Sequence, residues 1–230
     1  MKDTATFRRT AVALSLFAAV VTSAAWTLTM PPFPDGYDAR LAAIDAAGAS
    51  ATVSAVFFPV SQLFMLGAVL GIAHLIRRGA PILSNLGGSI AVVGTLAHAI
   101  FGGVNLMTLR MAADEGNRQI HAALLEDFES SPFMILAAAG LLGTVLGFLL
   151  LSIGLFRSRV VPRWVPALMW AFLVVEFVGT SLSDYATYVS ALALALSFGA
   201  LARHVLQTPR ADWDLAADAR SRTADPVAAA

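Results

Sequence analysis

Six apolar runs, each long enough to cross a bilayer, take up most of this 230-residue chain and leave no room for a second domain. A helix needs about 20 apolar residues to traverse a hydrocarbon core of roughly 30 Å. Runs of that kind extend over Thr10 to Met30, Val53 to Ile76, Ile82 to Leu109, Pro132 to Phe156, Trp164 to Leu182 and Tyr185 to Val205. They are continuously apolar instead of alternating over about ten residues, so helices are predicted and a barrel is not. The expected fold is an all-α polytopic transmembrane bundle over residues 1–208, with a poorly ordered tail at 209–230. Hydrophobic residues at 58% against charged residues at 13% exceed what a soluble domain of this size uses for its core.

The distribution of charge sets an expected orientation. Lys2, Arg8 and Arg9 precede the first run, Arg77 and Arg78 follow the second, Arg157, Arg159 and Arg163 join the fourth to the fifth, and Arg203 and Arg210 follow the sixth. The opposite connections carry only Arg40, Arg110 and Arg118 among many acids. The positive-inside rule then places both termini in the cytoplasm. A formal net charge of zero offers no electrostatic footprint for nucleic acid. With no cysteine in the sequence, disulfides and thiol chemistry are excluded. Abundant alanine and arginine beside a single lysine, Lys2, fit a high-GC bacterial genome and a multi-pass protein of the cytoplasmic (inner) membrane.

The first run has a second reading. Basic residues before Ala11 to Val21, and small residues at Thr22 to Ala25, resemble a cleavable signal peptide. Its apolar stretch continues through Trp26, Leu28 and Met30, which favours a retained helix.

Two connections are long and acidic, Pro31 to Thr52 and Arg110 to Ser131. In the second, Ile120, Leu124, Leu125 and Phe128 recur at helical spacing, and Tyr37, Leu41 and Ile44 form a weaker version in the first. Both are read as short amphipathic helices that either shield helix ends or form a lid over an outward-facing cavity. The shorter connections hold Pro81 and Pro162, each suited to opening a helix.

Lipid gives little hydrophobic drive between helices, so small residues must let backbones approach. Ala139, Gly143 and Gly147 supply one such face, and Gly67 with Gly71 another.

Ionisable groups at membrane depth are costly and therefore informative. Glu176 lies within the fifth run and His98 midway along the third, with Gln62 and Asn105 as uncharged polar groups. At about 1.5 Å per residue, Glu176, His98 and Gln62 share one level, roughly 18 Å from the boundary at Trp164 for the glutamate. These four residues are the candidate ligand- or proton-binding groups. Helical extrapolation from Glu176 puts Thr180 and Ser183 on its face, with Asp184 and Tyr188 beside them at the mouth of the expected cavity. A plainer role for the Glu176–His98 pair is a mutual hydrogen bond that ties two helices together. His74 and His204, at the ends of their runs, are conceivable axial ligands of a haem, although no cofactor is predicted. A histidine at a helix C-terminus is more often an interfacial residue favoured by the helix dipole. No zinc, phosphate-loop or nucleophile-elbow motif is present.

The layout of six spans with the turn Arg157-Ser158-Arg159-Val160-Val161-Pro162-Arg163-Trp164-Val165-Pro166 resembles a broad group of actinobacterial six-helix integral membrane proteins of unknown function. That resemblance implies a fold class and a compartment, and no catalytic residues. The leading functional expectation is binding or transport of a small molecule, with proton coupling through His98 and Glu176. Three alternatives stand beside it. One is a membrane enzyme on a lipophilic substrate with Glu176 as general acid. Another is an accessory subunit, homo-oligomeric or bound to a membrane partner, that docks through its Gly143 and Gly147 face. The last is a b-haem electron carrier. The reading of transport is weakened by the apparent lack of a proline- or glycine-interrupted pair of helices.

Overall fold

A computed structural model describes residues 4–183, 185–209 and Trp213. Its helices are α1 (Thr4–Leu28), α2 (Tyr37–Ala47), α3 (Ala49–Ile76), α4 (Pro81–Ala112), α5 (Arg118–Ser130), α6 (Met134–Ser158), α7 (Trp164–Phe177) and α8 (Tyr185–Gln207). No strand occurs among the described residues. Six helices are long and apolar enough to cross a membrane once the turn after α7 is counted with it, so this is a multi-pass membrane architecture.

The six long helices close into a ring. α1 packs on α3, α3 on α4, α4 on α6, α6 on α7, α7 on α8, and α8 returns to α1. The closest approach, between α4 and α6, is made by glycine. A Cβ at Gly147 would stand 2.5 Å from the Cα of Ala91, and one at Gly143 would stand 2.7 Å from the Cα of Gly94. Here the two backbones touch, as small-residue faces in lipid permit. Gly67 and Gly71 serve α1 in the same way, lying against Ser15 and Val12. The face formed by Gly143 and Gly147 is thus used inside the ring, which corrects the expectation that it docks a partner. The apolar core runs along one end of the ring through residues such as Leu16, Ile72, Leu151, Met169 and Phe198, each at most 1% exposed.

Connections on the arginine-bearing side are tight, as predicted. Pro81 stands at the start of α4, where its missing N–H is not needed. Arg159 takes a left-handed conformation (φ 54°) and its N–H caps Leu155 at the end of α6. The expected tail at 209–230 falls, except for Pro209 and Trp213, outside the described residues. Trp213 itself is 3% exposed and packs in the main core. Its ring lies 4.5 Å from that of His74, and its carbonyl accepts from Arg77 at 3.1 Å. Trp213→Ala is expected to lower the unfolding temperature in detergent by several degrees, because it empties a filled site beside α3. An unchanged unfolding curve would contradict that docking.

On the opposite side the two long connections fold as a cap with its own core. Leu41 of α2 is fully buried against Ala112, Ala122 and Leu125. Arg118 bridges to Asp45 at 3.2 Å, and the Tyr37 hydroxyl donates to Glu129 at 2.9 Å, so α2 and α5 are tied to one another. Of the predicted apolar stripe on α5, Leu125 faces this core whereas Ile120 and Leu124 point outward. Gly48 joins α2 to α3 with φ 53°, a conformation that glycine adopts without penalty.

α7 departs from the prediction. The apolar run was expected to stay helical to Leu182, but the α-helix stops at Phe177, after 14 residues, and a single 3-10 turn follows at Gly179–Ser181. Val178 leaves helical geometry (φ −122°), and at about 1.5 Å per residue this break lies roughly 21 Å from Trp164, still at membrane depth. Hydroxyls satisfy the released carbonyls, Thr180 donating to Glu176 and Ser181 to Val178. α3 carries Pro59 in its interior and remains one α-helix through it. Gly102 of α4 accommodates that ring, since a Cβ there would sit 2.7 Å from the proline Cβ. One span of the ring, α7, is thus broken short of its predicted end, whereas α3 stays continuous through its proline.

Candidate functional site

All six long helices contribute to one cavity of about 170 Å³ inside the ring. Gln62 enters it from α3, His98 from α4, Thr144 from α6, Glu176 from α7 and Ser190 from α8. Three groups predicted from depth alone to share a level, Gln62, His98 and Glu176, are therefore brought together. The fourth is not, because Asn105 lines a different cavity; between the two cavities stands Trp26, whose ring packs on Phe58 with centroids 4.9 Å apart. This second cavity, of about 190 Å³, lies beneath the cap, and Phe58 is in the lining of the central one. Trp26 lines both.

Each ionisable group in the central cavity has a hydroxyl partner. Ser190 donates to Glu176 Oε2 at 2.5 Å, while its neighbour Thr180 engages the Glu176 carbonyl. His98 shares a hydrogen bond through Nδ1 with Thr144 at 3.2 Å, and the Phe58 ring meets it edge-on with centroids 6.0 Å apart. Gly140 makes the space for that imidazole, since a Cβ there would come within 2.7 Å of its Cδ2. Glu176 and His98 are not bonded to one another among the described residues, so the predicted interhelical link between them is replaced by two separate hydroxyl contacts. Gln62, 9% exposed, turns its amide toward Ser61 at 3.2 Å.

The predicted mouth residues lie elsewhere. Thr180, Ser183 and Tyr188 are exposed and line neither cavity. Thr180 and Ser183 are consumed in the turn after α7, the Ser183 hydroxyl accepting from the Tyr185 N–H at 3.4 Å. Asp184 is outside the described residues. The break at Val178 rotates everything beyond it, so a helical extrapolation from Glu176 fails there.

The cavity beneath the cap has a different rim. Tyr37, Arg40 and Glu129 border it together with Asn105 and Phe128. The Arg40 guanidinium lies over the Tyr37 ring at 5.0 Å and donates to the Pro34 carbonyl at 3.0 Å. None of these rim groups except Asn105 stands out in the sequence as a site residue. Burial pushes the Tyr37 phenol above its ordinary value, and the hydrogen bond to Glu129 with that carboxylate's charge pushes it further. A raised phenol pKa means that the contact is intact below the ordinary tyrosine value of about 10 and is lost as pH rises through the higher folded value. With Tyr185 and Tyr188 replaced by phenylalanine, phenolate absorbance reports Tyr37 alone. Its midpoint is expected above that of free tyrosine, and Glu129→Gln is expected to bring it down; an ordinary midpoint in both proteins would contradict the contact.

His74 and His204 do not form an open pair of axial ligands in this arrangement. His74 Nε2 is 3.2 Å from the Trp213 carbonyl and its ring is covered by the Trp213 indole, so that nitrogen is engaged. His121 is on the cap, 3.0 Å from Asp114. Asn117 foremost, and His121 with it, hold the exposed Asp114 carboxyl below its ordinary range.

No group of three or more metal-binding side chains occurs among the described residues. No family model matches the chain, and no curated protein or solved structure shows significant similarity to it.

Proposed function

We propose that this multi-pass membrane protein binds a small molecule in the central cavity, against Glu176, and exchanges it with the cavity beneath the cap. The observation that carries this reading is the convergence of polar groups from separate helices on one space at membrane depth. Intramembrane polar groups are expensive unless they serve packing or a ligand, and here they surround a void instead of filling one. A cavity of about 170 Å³ is comparable with engineered cavities of roughly 150 Å³ that take up benzene. Trp26 then acts as a partition between the two spaces. Arginines gathered at one end favour an orientation with both termini in the cytoplasm and the cap outside.

The test is a thermal-shift panel of small cations, anions, zwitterions and neutral compounds, read on the wild type and on Ala191→Phe, whose ring would occupy the cavity. At least one class should raise the wild-type unfolding temperature, by about 2.7 kcal/mol of stabilisation at a hundredfold excess over Kd, and leave the variant unmoved. If no compound separates the two proteins, the proposal fails.

A further inference from the structure

The lining of the central cavity also selects a ligand chemistry, an inference that rests on the binding role proposed above. Glu176 is the only acidic side chain in that lining, and no lysine or arginine lines it among the described residues. A lone carboxylate in this setting lacks a permanent counter-charge, and its hydrogen bond from Ser190 is a partner without charge. Around it stand the rings of Trp26, Phe58, Phe172 and Phe177. Aromatic faces attract cations, most strongly when both are withdrawn from water. Anions find the opposite conditions, since the carboxylate repels them and no arginine is present to receive them. His98 is the one other titratable group in the lining, and it is fixed against α6 by Thr144 and by the gap at Gly140. We infer that the ligand is a small organic monocation, a quaternary ammonium or a protonated amine, held by the Glu176 carboxylate and the Trp26 and Phe58 rings.

The Ser190 hydrogen bond reaches Oε2 only, so Oε1 accepts no hydrogen bond from the described residues and remains available to a cationic headgroup. Phe172, four residues before Glu176, shares its face of α7, which places an aromatic wall on the carboxylate's own helix.

Calorimetric titration of the purified full-length protein with tetramethylammonium, choline, benzyltrimethylammonium and 3,3-dimethylbutan-1-ol tests this directly, since the alcohol is the uncharged counterpart of choline. The wild type should bind at least one of the cations, and choline should exceed the alcohol in affinity by about tenfold or more, equivalent to about 1.4 kcal/mol. Glu176→Gln should abolish the preference for charge, and Trp26→Leu should weaken the cations without weakening the alcohol. Equal or tighter binding of the alcohol would overturn the inference while leaving the cavity a binding site. The inference is equally overturned if none of the cations binds but an anion or a neutral compound from the thermal-shift panel does. If nothing in either set binds, both the inference and the binding role fall.

Discussion

Gly147→Leu is expected to destabilise the six-helix ring strongly, whereas Gly103→Leu on α4 should be tolerated. The contrast follows from where each missing side chain would go. At Gly147 the first added carbon meets the α4 backbone at Ala91, both its N and its Cα at 2.5 Å. Backbone cannot rotate aside as a flexible side chain would, so α4 must move away from α6 along the closest contact in the ring. Overpacking of a well-packed core costs about 1–3 kcal/mol and occasionally more, and a leucine against backbone belongs at or above the upper end. At Gly103 nothing lies within 4 Å of an added Cβ, so the substitution places a leucine in open space and replaces a poor helix former with a good one. Unfolding followed by heat or denaturant in the same detergent should separate the two variants by about 3 kcal/mol or more. Similar stability in both would mean that α4 and α6 are not in backbone contact.

Glu176→Gln should leave the fold intact and remove the ligand. Glutamine keeps the length of the side chain and an oxygen that can accept from Ser190, so the contact between α7 and α8 survives. Removing an intramembrane charge also lowers the cost of that helix in lipid. The variant is therefore expected to unfold within a few degrees of the wild type while the affinity for the strongest-binding compound of the panel falls by about tenfold or more. Ser190→Ala provides the complementary case. It deletes the hydroxyl and leaves the carboxylate, so affinity should fall less than in Glu176→Gln. A large loss of stability in Glu176→Gln with unchanged affinity would assign this residue to packing.

Much of this arrangement is legible in the sequence because lipid restricts the solutions so severely. Six long apolar runs admit little besides six helices, and counting residues along them is enough to bring Gln62, His98 and Glu176 to one level. A helical count gives depth well, because rise per residue is constant wherever the helix is unbroken. It gives direction poorly once the helix is interrupted. Thr180, Ser183 and Tyr188 are misplaced by such a count for this reason, since Val178 ends the helical phase on which their assignment depends. Asn105 fails differently. It is on the correct helix, but it lines the cavity beneath the cap, whose wall includes Trp26 from α1, and a contact between two distant segments leaves no trace in local periodicity.

The cap illustrates the same limit. Its two helices are recognisable in outline, yet the core of Leu41, Ala112, Ala122 and Leu125 depends on alanines that carry no strong amphipathic signal. Small-residue spacing in α6 likewise reveals that something approaches Gly143 and Gly147 without identifying it as α4. Pro59 is visible in the sequence as a residue, whereas its fit to Gly102 requires the fold.

Native mass spectrometry of the gently solubilised wild type beside Glu176→Gln tests the central claim most directly. A small adduct is expected on the wild type and not on the variant, with both proteins otherwise at the mass of the chain. Bare mass in both, or the same adduct on both, would contradict a ligand held in the ring by Glu176.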